Sequence, residues 1–98
     1  MAEDAIKAAP NNYKTLLEND RVRLLEYRGK PGDVTAMHSH PDVLAYTITP
    51  GKFKFTFPDG QSFETELKAG EPMFVEAQSH STENTGDPDV HVLLVELK

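Results

Sequence analysis

Three of the four histidines in this 98-residue chain stand where they could do chemistry, and two of them, in "AMHSHPDVLAYTITPG" (Ala36 to Gly51), are one residue apart. On a strand, residues i and i+2 point to the same side about 6.5 to 7 Å apart, so the imidazoles of His38 and His40 can converge on one ion at about 2.0 to 2.1 Å. Two exposed loop histidines would read the same way, so the pair needs a third donor. "AGEPMFVEAQSHSTENTG" offers one: a strand, a short connection, His80, and then Asn84 near a glycine turn. In an antiparallel barrel this segment can lie beside the first and aim His80 at the same interior point. Spacing alone leaves that open.

The elements that must position these side chains are short strands. From Val22 onward the runs "VRLLEYR", "VTAMHSH", "VLAYTIT", "KFKFTF", "SFETEL", "PMFVEA" and "VHVLLVEL" alternate with "GKPGD", "TPGK", "PDGQ", "KAGEP" and "NTGDPD". Gly, Pro and Asp suit tight turns, and many short strands with such turns indicate an all-β sandwich or barrel. The clearest hairpin is "FKFTF", "PDG", "QSFETEL", with Phe53, Phe55 and Phe57 on one face and Lys54 and Thr56 on the other. The aromatic face belongs most simply to the core, with ligand stacking as its alternative. Residues 1–18, with "AEDAIKA" ahead of Pro10 and a "PNN" break, read as an N-terminal arm, partly helical, before one barrel domain over residues 19–98.

Composition narrows the function classes. At 98 residues there is room for one modest core. A formal charge of −6, with cations interspersed among acids, gives no basic stripe for a phosphate backbone, so nucleic acid is not an expected partner. Without cysteine there is no disulfide framework, thiolate site or cysteine nucleophile. The acidic start "MAEDAIKAAP" has no secretory apolar core, and no stretch has the length of a membrane span, so the expectation is a cytoplasmic protein with no membrane partner.

The spacing Gly32, five residues, His38, one residue, His40, three residues, Leu44, six residues, Gly51 resembles the first motif of the cupin superfamily. Leu44 is the departure, because the family usually has Glu there. Gly70, Phe74-Val75, His80 and Asn84 resemble the second motif, with its usual Pro and Gly replaced around Glu76 to Gln78 and a loop one residue shorter. The resemblance runs from about Asn19 to the C-terminus, and "LLENDRVRLLEYRGKPGD" and "VHVLLVEL" also resemble the small single-domain bacterial cupins. It implies a double-stranded β-helix, or jelly-roll barrel, often dimeric, with a metal inside one open end. It also implies that His38, His40 and His80 are the metal ligands and that Leu44 occupies the fourth ligand position without being able to coordinate.

Loss of that carboxylate has a physical effect. Three neutral imidazoles leave the ion's charge uncompensated, which favours an anionic bidentate ligand, and open coordination positions mark a catalytic type of site. Similar three-histidine centres in cupin dioxygenases imply iron(II) and a small chelating organic substrate. Zinc, nickel and copper are alternatives because affinity of simple nitrogen sites rises towards nickel and copper, and manganese is a further one. Two further readings stay open: a non-redox isomerase or lyase, and a non-catalytic protein that binds a metal or small ligand. A homodimer is expected from the family and from the need to cover sheet edges.

Other groups are placed by parity. Counting by twos from His38 and His40 turns Asp42, Leu44, Tyr46 and Ile48 inward if the strand stays regular, with a turn at Asp42, after Pro41, as the alternative for that residue. Tyr46 is then a catalytic candidate whose hydroxyl could orient a ligand or act as a general acid, with a core tyrosine as the plainer reading. Counting back from His80 gives Gln78 and Glu76, and Glu76 is the second catalytic candidate, as a weak fourth ligand or a general base, against an ordinary solvated loop glutamate. Glu26 has similar standing, and Arg23 and Arg28 could steer an acidic substrate or simply face solvent. His91 reads as structural or surface unless it shares an inward face with Leu93, Val95 and Leu97, and Asn84 reads as a turn residue.

Overall fold

The alternating runs fold into two facing sheets in the computed structural model, which describes residues 3–87 and 89–98. Along the chain these are β1 (Glu3–Asp4), α1 (Ala5–Ala8), β2 (Tyr13–Glu18), β3 (Val22–Gly29), β4 (His38–His40), β5 (Val43–Thr49), β6 (Gly51–Thr56), β7 (Ser62–Leu67), β8 (Pro72–Val75), β9 (Gln78–Asn84) and β10 (Val90–Leu97). One sheet has the order β1-β4-β9-β6-β7 and the other β2-β3-β10-β5-β8. Neighbours are antiparallel except β1 and β4. Because the chain passes from sheet to sheet as it winds, the architecture is the double-stranded β-helix, an all-β jelly-roll barrel.

The first eighteen residues do more than form an arm. Asp4 caps α1 by accepting the Ile6 N–H at 3.1 Å, and Pro10 and two asparagines then turn the chain into β2. Strand β2 pairs with β3, setting Tyr13 opposite Tyr27, while β1 runs parallel to β4 with Glu3 opposite His38. The N-terminal segment therefore contributes a strand to each sheet, and its helix is a single turn. Residues 1–2 of the expected arm lie outside the described residues.

Between β4 and β5 the chain changes sheet at Pro41-Asp42, and the change resets the in/out parity. Val43, Ala45 and Thr47 face the interior, whereas Leu44, Tyr46 and Ile48 are 46%, 48% and 42% exposed on the outer face. The regular strand assumed in counting from His40 does not exist, which corrects the inward placement of Asp42, Leu44, Tyr46 and Ile48. The last strand has the opposite phase from the one considered for His91: Val90, Val92, Leu94 and Glu96 point in.

Interior residues of both sheets, among them Leu25, Tyr27, Val43, Ala45, Phe53, Leu67, Val92 and Leu94, form the core with Ala5 and Tyr13. Two glycines are demanded by local geometry. Gly60, at φ +88°, closes the β6–β7 turn, where its N–H reaches the Phe57 carbonyl at 2.9 Å. Gly29 lies under the Tyr27 ring, and a Cβ there would come within 2.0 Å of the phenolic oxygen.

Candidate metal centre

Antiparallel pairing of β4 with β9 sets His38 directly opposite His80, and His40 follows two residues on along the same face of β4. All three histidines are buried. Their ring centroids are 4.9 Å (His38 to His40), 4.9 Å (His38 to His80) and 5.4 Å (His40 to His80) apart. One ring nitrogen from each falls in a group whose members lie within 4.8 Å of one another. Ligands bound at 2.0 to 2.1 Å in a tetrahedral shell sit about 3.4 Å apart, so modest side-chain rotation closes the trio onto an ion.

Each ring is held from behind. His38 Nδ1–H donates to the Ala36 carbonyl at 2.8 Å, His40 Nδ1–H to Glu96 Oε2 at 2.7 Å, and His80 Nδ1–H to Gln78 Oε1 at 3.1 Å. Gln78 is itself oriented by the bond its Nε2 donates to the Glu76 carbonyl, 3.3 Å. With the proton on Nδ1 in all three, each Nε2 carries the lone pair, the arrangement by which outer hydrogen bonds fix the tautomer of metal-binding histidines. Burial lowers the pKa of His38 and takes that of His80 down to about 3, the neighbouring histidines adding to the effect. His38 and His80 are accordingly neutral at pH 7.

The residues fit a transition metal on an observation independent of family pattern. His40 Nε2 is buried and has no hydrogen-bond partner among the described residues. An orphaned buried acceptor is costly, and an ion held by three imidazoles would satisfy it. An all-nitrogen set suits zinc, iron, nickel or copper and does not suit magnesium or calcium, which take oxygen.

Behind His40 lies a chain of charges. Glu96 Oε1 accepts from Arg23 Nε at 2.8 Å and Nη2 at 2.6 Å, and Arg23 also reaches both carboxylate oxygens of Asp4, at 2.5 and 3.2 Å. The two oxygens of Glu96 thus serve different donors, His40 and Arg23. Burial works to raise the Asp4 pKa, but the Arg23 guanidinium and the Ile6 N–H outweigh it and hold the carboxyl below its usual value.

On the opposite side, the Tyr13 hydroxyl stands 3.3 Å from His38 Nε2, and its ring packs against His38 and His40. Burial pushes this phenol well above its ordinary pKa, so it stays protonated and acts as a donor. A cavity of about 330 Å³ opens from His40 and His80 between the sheets, lined by Tyr13, Gln78 and otherwise mostly aromatic and aliphatic side chains.

Neither of the two expected catalytic residues reaches this point. Tyr46 is half exposed on the outer face, and Glu76 is exposed in the connection between β8 and β9; neither lines the cavity. Leu44 points outward, so nothing from that position approaches the ion site. Asp42 sits in a turn, where Oδ1 accepts the Ala77 N–H at 2.9 Å. Glu26 bonds Arg28 and His91 (2.9 Å to the latter) away from the centre, and Asn84 binds the Gly29 carbonyl and the Gly86 N–H as a buried structural residue. Tyr13 and Glu96 were missed. A signal existed for Glu96, the one acid in the apolar run "VHVLLVEL", in phase with Val90, Val92 and Leu94.

Comparison with known proteins agrees with this geometry. The family described as the cupin domain matches residues 26–96. A cupin domain from Bordetella pertussis superposes with a TM-score of 0.80 at 26% identity, over 100% of this chain and 98% of that one. A predicted oxalate decarboxylase from Thermotoga maritima gives 0.62 at 26% identity, over 87% and 77% of the two chains. A polyketide cyclase from Streptomyces resistomycificus gives 0.66 at 23% identity, over 87% and 63%, a likeness of fold. No protein among the curated sequences matches the chain.

Proposed function

Because this chain belongs to the cupin family, we propose that it is a small metal-dependent dioxygenase whose His38, His40 and His80 hold iron(II) and whose substrate is a small chelating organic molecule. The observation that carries the reading is the trio itself: three buried imidazoles, each with Nδ1 tied back and Nε2 turned inward, at the end of a cavity. Iron(II) held by these three residues would supply Lewis acidity towards a chelating ligand and redox capacity towards dioxygen.

The chain's own residues define what such a site accepts. With no carboxylate in the ligand set, the charge of the ion is left for an anionic chelating head to balance. Tyr13, protonated and facing the trio, can donate a hydrogen bond to an oxygen of that head. The aromatic and aliphatic walls keep water away from it.

A second reading, a non-redox isomerase or lyase, draws support from the same Tyr13 hydroxyl, because a buried phenol that keeps its proton can deliver it to an enolate. The relative named as a polyketide cyclase carries this fold with an activity other than dioxygenation. The test is to load metal-free protein with iron(II) under anaerobic conditions, add an aryl 1,3-diketone or a thiol, and admit oxygen. Stoichiometric oxygen uptake with oxygenated product supports the dioxygenase. Turnover without oxygen, supported by manganese, nickel or zinc, replaces it with the second reading, and saturable binding without product leaves a binding protein.

We also propose a homodimer formed through the outer face of the β2-β3-β10-β5-β8 sheet. Cross-strand register lines up Leu17, Leu24, Val95, Leu44 and Phe74 in one apolar row across all five strands, with Leu93 beside Tyr46 in the next. Several of these side chains are about half exposed. An exposed apolar row of this kind, crossing a whole sheet, suits the core of an isologous interface. Light scattering is expected to give twice the chain mass, and half of that for Leu44→Glu. A monomeric parent protein would contradict the proposal.

A further inference from the structure

The cavity next to the trio has one wall of a distinct kind. Phe53, Phe55 and Phe57 come from β6 and its end, and Phe63 comes from β7. Phe55 and Phe63 stack at 5.3 Å and 21°, and Phe57 and Phe63 at 5.7 Å and 23°. The Phe55 ring then meets the ring of His80 at 5.3 Å and 63°. An unbroken aromatic surface therefore runs from exposed Phe63 inward to a metal-site histidine. The facing wall, from β5, β8 and β10, is aliphatic: Val43, Met73, Val92 and Leu94 among others.

Charge is missing from this lining. Among the described residues, no Lys, Arg, Asp or Glu side chain lines the cavity. An ionic substrate body would lose its hydration there and gain no counter-charge. Two of the polar groups in the lining, Tyr13 and Gln78, are bonded to His38 and His80 at the metal end, and the others, Tyr27, Thr65 and Thr82, bring hydroxyls and no charge. Size adds a further limit, since an apolar cavity of about 150 Å³ holds a benzene molecule. At about 330 Å³ this one has room for roughly twice that.

We propose that the cavity is a binding site for a neutral aromatic body of one or two rings, recognised by the phenylalanine wall without help from the metal. The ligand's chelating head at the histidines rests on the function proposed above; the aromatic site stands on the wall alone. A short aliphatic dianion has no complement in it.

The test is calorimetric titration of metal-free protein with 2-naphthol and, separately, with malonate. The expected result is saturable one-to-one binding of naphthol, no binding of malonate, and about tenfold weaker naphthol binding by Phe63→Ala, whose exposed position lets the melting temperature stay near that of the parent protein. Val34→Ala, at an exposed position outside the cavity, is expected to bind naphthol as the parent does. Absence of naphthol binding overturns the proposal. So does binding that Phe63→Ala leaves unchanged, or that Val34→Ala abolishes, and so does malonate binding of comparable strength. Failure of the oxygenase reading would appear in oxygen uptake and leave these titrations unaffected.

Discussion

Replacing Glu96 by Gln should weaken metal binding tenfold to a hundredfold while leaving all three ligands in place. Its two oxygens serve different donors, one accepting from His40 Nδ1 at 2.7 Å and the other from Arg23 at 2.6 and 2.8 Å. A glutamine amide has one carbonyl oxygen for these two sets of donors, so either Arg23 or His40 must face an NH₂ group. The bond to His40 changes from a charge-assisted one, worth about 1.5–3 kcal/mol, to a neutral one of about 0.5–1.5 kcal/mol or to none. Arg23, no longer neutralised from that side, adds repulsion towards a cation. A loss of about 1.4–2.7 kcal/mol follows, in keeping with the tenfold to hundredfold effect of outer-shell carboxylates on metal affinity. The assay is competition for zinc against a chromophoric chelator, alongside melting of the metal-free proteins to separate affinity from folding. Equal zinc affinity in Glu96→Gln and the parent protein would refute the reasoning and leave Glu96 as a structural ion-pair residue.

Metal-free protein should lose stability as pH falls below about 6.5, because the unfolded chain takes up protons there that buried His38 and His80 resist. The folded pKa values are depressed, so the contribution is complete above 6.5 and fades towards the His80 value of about 3, by up to about 1.4 kcal/mol per pH unit per group; urea midpoints at pH 7, 6 and 5 check this. Gly29→Ala should destabilise by about 1–3 kcal/mol, since its Cβ would collide with the Tyr27 hydroxyl at 2.0 Å, and thermal melting reads the loss. Tyr46→Phe and Glu76→Gln, both exposed and away from the cavity, should leave metal content and turnover unchanged, and a tenfold fall in either would show that the outer face reaches the site.

What could be read from the sequence depended on where the strands stayed regular. The β6–β7 hairpin and the apolar strands β3, β5 and β10 carry the alternation that periodicity detects, and each appears at its expected place. Strand β9, "QSHSTEN", escaped because its inward positions His80, Thr82 and Asn84 are polar. Their burial is sustained by specific bonds, such as Thr82 N–H to Thr35 Oγ1 at 3.0 Å and Asn84 to the Gly29 carbonyl, which composition does not reveal. The parity error at Tyr46 came from a sheet change at Pro41-Asp42. Tyr13 and Asp4 were out of reach because their role depends on short N-terminal strands completing both sheets, a matter of tertiary pairing. The trio was legible because its members are few, chemically distinctive and regularly spaced.

The most direct measurement is metal content by elemental mass spectrometry on tag-free protein before and after iron(II) loading, with His80→Ala treated identically. Close to one divalent metal per chain is expected in the parent protein and less than one tenth of that in the variant, whose melting in the metal-free state should remain cooperative. No metal in the parent protein before or after loading, or equal metal in both proteins, would contradict a centre built on His38, His40 and His80.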